Sequence, residues 1–230
     1  MNMIEVKNVY KKYPNGVHAI NGININIDFG EFVYVVGPSG SGKSTFIKML
    51  YREEKPTSGS IIINGINLTT LKERKVPYLR RNLGVVFQDF KLLPNLTVYE
   101  NIAFALEVIE ESPRNIKRRV LEVLDLVHLK QRARSYPNEL SGGEQQRVSI
   151  ARSIVNSPKV LIADEPTGNL DPETTWEIMD TFMEINRRGT TIIMATHDKE
   201  IVNNIRNRVI VIEGGLVVRD ELKGEYGYED

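Results

Sequence analysis

Glu31-Phe32-Val33-Tyr34-Val35-Val36-Gly37-Pro38-Ser39-Gly40-Ser41-Gly42-Lys43-Ser44-Thr45 decides the reading of this chain. Residues 31–36 form an apolar, β-rich run, and Ser44 to Tyr51 reads as the first turns of a helix. Strand, glycine loop and helix, in that order, are the context that gives G-x-x-x-x-G-K-[ST] its meaning. Gly37, Gly40 and Gly42 can take backbone angles closed to other residues. The loop N–H groups can then curl around an anion. The helix behind adds about half a positive charge at its N-terminus. In such a loop Lys43 is expected to bridge the β- and γ-phosphates of a nucleotide, and the Ser44 hydroxyl to bind Mg²⁺.

A second glycine motif, Leu140-Ser141-Gly142-Gly143-Glu144, admits two readings. S-x-x-E is a capping box, and Val148, Ala151, Ile154 and Val155 give the following helix an apolar face. The two glycines weaken a helix start and leave N–H groups exposed, which is the condition for holding an anion. The first loop already supplies one phosphate site, so a second needs a second purpose.

Outward from the first motif lie four apolar, β-branched runs, short enough for buried parallel strands: Phe32–Val36, Gly84–Phe87, Val160–Ala163 and Thr191–Ala195. They are followed by the glycine loop, by Gln88, by Asp164 and Glu165, and by Thr196 and His197. Ligands of open α/β sheets sit outside the carboxyl ends of the strands, so these polar groups converge on one place. Asp164 ends an apolar strand, where a carboxylate is costly unless it serves an ion. Ile4–Val9, His18–Ile27 and Ser60–Asn64 read as an antiparallel sheet beside this core. Between Gln88 and Ser141 the spacing turns helical, with helices expected over Val98–Glu110 and Asn115–Val127 and a break at Pro113. A further helix should start at Pro172, capped by Asp171, and stop near Gly189. Arg219–Asp230 is charged and reads as a loose tail.

Composition narrows the function classes. The 230 residues, 41% apolar, suit one domain with an inserted lobe. Lys plus Arg and Asp plus Glu are 30 each, so the basic surplus of a nucleic-acid binder is missing and nucleic acid is not an expected partner. The absence of cysteine excludes disulfides and thiolate metal sites. The N-terminus has no signal-peptide pattern, and no apolar run approaches the ~20 residues of a membrane span. Any membrane role therefore calls for a partner.

Taken together, the motifs resemble those of the ATP-binding cassette (ABC) ATPases over essentially the whole chain. GPSGSGKST resembles the Walker A motif, and LSGGEQQR, from Leu140, resembles the family signature. Val160–Glu165 resembles Walker B followed by the catalytic glutamate. Gln88 falls at the Q-loop, Gly168–Asp171 at the D-loop, His197 at the switch histidine and Tyr13 at the aromatic position that stacks on adenine. The resemblance implies an α/β P-loop NTPase fold. It has a RecA-like parallel-sheet core, an N-terminal antiparallel β subdomain and an inserted α-helical subdomain. Residues 1–88 and 156–218 would form the core and β subdomain, 89–155 the helical subdomain and 219–230 the tail of a single domain. It implies ATP and Mg²⁺ as cofactors. Tyr13, Gly37, Pro38, Ser39, Gly40, Ser41, Gly42, Lys43, Ser44, Thr45 and Asp171 would hold the nucleotide. Ser44, Gln88 and Asp164 would hold the metal. Glu165 would be the general base, with His197 and Gln88 completing the catalytic set. It further implies a head-to-tail homodimer, in which Ser141, Gly142, Gly143 and Glu144 bind the γ-phosphate of the partner's nucleotide.

Ala163–Pro172, ADEPTGNLDP, resembles the branch that contains lipoprotein-release ATPases, macrolide-type exporters and cell-division ATPases. Phe87–Phe104, Leu140–Asn156 and Phe182–Asp198 favour the cell-division group. That group implies an integral membrane partner, FtsX-like, at the cytoplasmic face of the bacterial cell membrane, with control of peptidoglycan hydrolysis as output. An exporter ATPase is the alternative. Soluble translation-type members carry two cassettes per chain and this chain has one. Clamp ATPases separate the two glycine motifs by a long coiled coil, whereas here the interval is short and broken by Pro94, Pro113 and Pro137. Phe90, Leu92, Leu93 and Leu96 are expected in part to form an apolar groove for the partner's cytoplasmic helix.

Overall fold

In the computed structural model, which describes residues 2–227, strand β3 (Phe32–Val36) is buried along its whole length. Such a strand is covered on both faces, and its side chains alternate between two apolar clusters. Tyr34 and Val36 enter one cluster, Val33 and Val35 the other. The second cluster is completed by β1 (Asn2–Lys12), β2 (His18–Asp28), α1 (Lys43–Leu50) and β4 (Ser58–Ile63). With the short β5 (Ile66–Asn67), the N-terminal strands form an antiparallel sheet of order β2-β1-β4-β5.

The remaining elements are α2 (Val76–Arg80), β6 (Leu83–Val86), α3 (Val98–Glu107), α4 (Pro113–Leu126), α5 (Gly142–Ile154), β7 (Val160–Asp164), α6 (Pro172–Arg187), β8 (Thr191–Ala195), α7 (Lys199–Ile205), β9 (Arg208–Glu213) and β10 (Leu216–Glu221). The second sheet has the order β10-β9-β3-β8-β7-β6. All its pairings are parallel except that of β10 with β9. Helices α3 to α6 pack on the face that receives Tyr34, through Ile102, Val120, Val148 and Phe182. The architecture is a P-loop NTPase fold with an antiparallel N-terminal sheet.

Local chemistry explains the helix starts. Thr97 and Glu100 form a reciprocal capping box on α3, and Ser112 accepts from the Asn115 N–H on α4. Asp171 caps α6 ahead of Pro172, as its sequence suggests.

The C-terminus differs from the expected tail. Strand β10 runs through Glu221, and residues 223–227 fold back onto α7 instead of trailing. A hairpin between β9 and β10, turned by Gly214-Gly215, extends the sheet beyond the expected limit at residue 218. Residues 228–230 of the expected tail lie outside the described residues. Among the described residues, no helix is long and apolar enough to cross a membrane.

Candidate functional site

The loop 37–42 leaves the buried strand β3 at its carboxyl end and enters α1 at Lys43. Two glycines are required there by space as well as by conformation. A Cβ on Gly37 (φ 143°) would stand 2.1 Å from the Ile212 carbonyl oxygen, and one on Gly42 (φ 109°) 2.4 Å from that of Ala19. The loop is thus bedded on β9 and β2. Lys43 donates from Nζ to the carbonyls of Gly37 at 2.7 Å and Pro38 at 3.0 Å, curling over the loop. Burial pushes its pKa down, while Glu165 and Asp164 oppose the shift. The Ser41 hydroxyl is buried with no hydrogen-bond partner among the described residues. Ser44 is exposed in the first turn of α1.

Asp164 ends β7 and Glu165 follows it. Burial, reinforced by Glu165, pushes the Asp164 carboxyl up, with Lys48 and Lys43 pulling the other way. Its Oδ1 is buried and has no hydrogen-bond partner among the described residues. An unpartnered carboxylate oxygen beside a phosphate-type loop fits a hard cation, whose ligands are oxygens. Glu165 has φ 49°, a left-handed backbone that costs a non-glycine residue about 1–3 kcal/mol. It is held there by its N–H to the Ala195 carbonyl at 2.9 Å, and its own carbonyl accepts from Gly168 N–H at 3.2 Å. Its carboxylate Oε2 lies 2.7 Å from His197 Nδ1 and accepts from the His197 N–H at 3.3 Å.

Gln88 leaves β6 and leans across the 168–171 loop. Its Nε2 donates to Asn169 Oδ1 at 3.4 Å, and Asn169 Nδ2 returns a bond to the Gln88 carbonyl at 3.4 Å. Asn169 is therefore a site residue that the sequence reading passed over, although it stands within ADEPTGNLDP. Arg152 was also passed over. From α5 it donates to the carbonyls of Phe90 at 3.0 Å and Lys91 at 2.7 Å, two consecutive residues with positive φ. Only the pairing of a half-buried helix arginine with a turn of positive φ, invisible in one dimension, could have found it.

Tyr13 lies against the loop, its hydroxyl 3.2 Å from Thr45 Oγ1. It lines a cavity of about 230 Å³ with Val17, His18, Ala19 and residues 40–45. The Lys11 ammonium stands 4.8 Å from the Tyr13 ring centroid. Asp171 is a helix cap, accepting from the Thr174 N–H at 3.0 Å and the Thr174 hydroxyl at 2.7 Å.

The second glycine motif begins α5 with the reciprocal capping box. Ser141 Oγ accepts from the Glu144 N–H at 3.2 Å, and Glu144 Oε2 accepts from the Ser141 N–H at 2.8 Å. The Ser141 N–H, chiefly, holds the Glu144 carboxyl below its usual range, with Arg132 assisting at 3.0 Å. Glu144 is thus committed to the helix start. Gly142 is exposed beside Leu170 and Phe90, whereas Gly143 is buried under Thr174 of α6. The neighbours of both glycines come from the Q-loop side and from α6 and its approach, not from the chain's own phosphate loop.

The structure therefore brings residues 37–45, Gln88, Asp164, Glu165, His197 and the 168–171 loop to the carboxyl ends of β3, β6, β7 and β8. Residues 141–144 stand beside Phe90, Leu170 and Thr174 and not against the phosphate loop. A phosphate loop at the carboxyl end of a parallel strand, with a carboxylate pair at the end of the strand two places along the sheet, defines a nucleoside-triphosphatase. The chain belongs to the ABC transporter family, whose model matches residues 20–168, and it is an ATP-binding, ATP-hydrolysing protein. It is 71% identical over 228 residues to the cell division ATP-binding protein FtsE of Bacillus subtilis (strain 168), covering 99% of this chain and 100% of that one. It is 44% identical over 227 residues to FtsE of Escherichia coli (strain K12), covering 99% and 100%. Among solved structures, a dimeric ATP-binding cassette in a post-hydrolysis state with ADP and Pi is similar at TM-score 0.86 and 39% identity. That match covers 96% of this chain and 100% of the other.

Proposed function

We propose that this chain is the ATPase subunit of a membrane complex in bacterial cell division, acting with an FtsX-like integral membrane partner. It works at the cytoplasmic face of the cell membrane as a peripheral subunit and controls peptidoglycan hydrolysis on the far side. The full-length likeness to cell-division relatives supports this reading over an exporter. Residues 1–88 and 156–221 form the nucleotide core with its β subdomain, β10 being its last strand, and 89–155 the helical subdomain.

One observation carries the mechanism: the buried, unpartnered Asp164 oxygen beside Lys43 and the phosphate loop. Asp164, Ser44 and Gln88 hold Mg²⁺, which when bound neutralises charge on the phosphate oxygens. The backbone of Gly37, Pro38, Ser39, Gly40, Ser41 and Gly42 cradles the phosphates, Lys43 swings from the loop carbonyls onto the β- and γ-phosphates, and Thr45 and Tyr13 flank the adenine side. Glu165 takes the proton of the attacking water. Its bond to His197 aims the carboxylate, and His197 in turn meets the γ-phosphate. Gln88 links the site to the helical subdomain.

Ser141, Gly142 and Gly143 serve the nucleotide of a second copy. The exposed N-terminus of α5 is built to receive an anion, yet the nearest atoms to its two glycines belong to Phe90, Leu170 and Thr174 and none to the chain's own phosphate loop. A head-to-tail homodimer completes both sites, with Asp171 and the 168–171 loop at the junction. Closure on ATP and opening after hydrolysis form a ligand-driven two-state switch. The test is affinity capture from membranes with an ATP-loaded Glu165→Gln form. Recovery of an FtsX-like protein is expected, and recovery of an exporter permease in its place overturns the assignment.

A further inference from the structure

Helix α7 has seven residues, too few to hold its own position. It follows directly on His197, the residue that touches Glu165, and is capped by Asp198 through the N–H groups of Glu200 and Ile201. Its inner side is fixed by Ile201 and Val202, which are fully buried in the core. Its far end is fixed by something else. Tyr226 donates its backbone N–H to Asn203 Oδ1 at 2.7 Å, Glu225 pairs with Arg206, and the Gly224 N–H reaches the Asn207 carbonyl at 3.2 Å.

The segment that makes these bonds is itself anchored. Arg219 of β10 donates to the carbonyls of Gly227, at 2.7 Å, and Glu225. Gly224 is buried flat on β9, with Val209 Cβ 2.8 Å from where a Cβ would stand. The Tyr226 ring packs against the core. The Lys199 ammonium, at the start of α7, lies 5.6 Å from the ring centroid. Tyr226 also lines a cavity of about 300 Å³ whose lining includes Gly37 and Pro38 of the phosphate loop. One side chain therefore meets the start of α7, two residues beyond His197, and faces the phosphate loop across this cavity.

We propose that residues 223–227 are a strap across α7, and that Tyr226 is a positioning residue that holds His197 against Glu165. The strap grips α7 near both ends, by the ring at Lys199 and by the Tyr226 N–H at the Asn203 side chain, with the Gly224 N–H on Asn207 just past the helix. A helix so short follows its attachments, and a displacement of about 1 Å in a catalytic group can cost up to a hundredfold in rate. The catalytic part of this inference rests on the roles given above to Glu165 and His197. The mechanical part does not.

The test uses the full-length chain with Tyr226→Ala, Tyr226→Phe and Asn203→Ala. The chain has three histidines, so imidazole NMR signals can be assigned by His197→Ala. Tyr226→Ala and Asn203→Ala are expected to move the His197 signal while His18 and His128 stay in place. They should lower kcat about tenfold or more with KM for ATP within about twofold. Tyr226→Phe keeps the ring and should restore both readouts. An unmoved His197 signal in the two alanine variants, or a parallel loss of nucleotide affinity, overturns the strap. If Tyr226→Ala does not fold, Asn203→Ala decides alone on the same two readouts. A shifted His197 signal with unchanged kcat upholds the mechanical strap and overturns its catalytic role. Wild-type turnover in Glu165→Gln would refute the site assignment without touching the NMR result.

Discussion

The two glycines of the second motif are predicted to be glycine for different reasons, and alanine substitution separates them. At Gly143 a Cβ would stand 2.3 Å from Thr174 Cγ2, more than 1 Å inside ordinary contact. Thr174 cannot simply rotate away, because its hydroxyl bonds Asp171 at 2.7 Å and its N–H bonds the same carboxylate at 3.0 Å. Overpacking of this kind costs about 1–3 kcal/mol. Alanine regains up to about 1 kcal/mol of helix propensity over glycine. The net expectation is a loss of about 1–2 kcal/mol, or roughly 2–8 °C in Tm for a chain of this size. Thr174→Ser removes the offending methyl and keeps the bond to Asp171, so the Gly143→Ala/Thr174→Ser pair should recover most of the loss. At Gly142 the nearest atoms to a Cβ are 3.6 and 3.9 Å away, so Gly142→Ala should leave Tm unchanged or raised. Its ATP turnover should nevertheless fall if, as proposed, the exposed start of α5 receives the phosphate of the nucleotide held by the second copy. Thermal unfolding of the nucleotide-free protein and steady-state turnover decide the matter. A wild-type Tm in Gly143→Ala, or no recovery with Thr174→Ser, would refute the packing argument.

Glu165→Gln should retain ATP and lose roughly 10²–10⁴-fold in turnover, as measured by single-turnover hydrolysis. Activity within twofold of the unaltered protein would remove Glu165 as base. Asp164→Asn should raise the Tm of the nucleotide-free protein at neutral pH while abolishing Mg²⁺-dependent turnover. Its carboxyl is pushed up by burial, so the ionised form costs the folded state most above the folded pKa, and the Tm gain should narrow as pH falls through it. Glu144 behaves oppositely, because its folded pKa is depressed by the Ser141 N–H. Its contribution is present above the unfolded value of about 4.3 and is lost as pH falls through the folded one. The Tm difference between Glu144→Gln and the unaltered chain should shrink in acid, and a constant difference counts against the capping bond.

The motif residues were legible because their chemistry is local. A glycine loop between an apolar strand and a helix, or a carboxylate pair ending a β-branched run, is complete within a few positions. The capping box at Ser141 was equally readable, since it closes within four residues, whereas the same pattern at Thr97 went unread. The rest of what escaped is non-local. Strand β9 carries the alternation Val209-Ile210-Val211-Ile212 and could have been read as a strand, but only the tertiary structure shows its carbonyl beneath Gly37. The Arg152 grip on Phe90 and Lys91 spans some sixty residues, and the bonds between Gln88 and Asn169 span more. The expected tail failed because its charges looked solvated. In the structure Glu225 is spent on Arg206, and the tail's carbonyls are spent on Arg219.

The neighbours of β3 have a consequence for synthesis. Strand β3, which carries the phosphate loop, lies between β8 and β9, which begin at Thr191 and Arg208. A nascent chain that has already exposed every residue of the first glycine motif still lacks both flanking strands. Parallel pairing across such a separation is slow to form, and the loop lacks the Ile212 carbonyl beneath Gly37 until β9 has emerged. Nucleotide binding can thus arise only late in synthesis, and a ribosome-bound fragment ending before residue 208 should present the motif without the site.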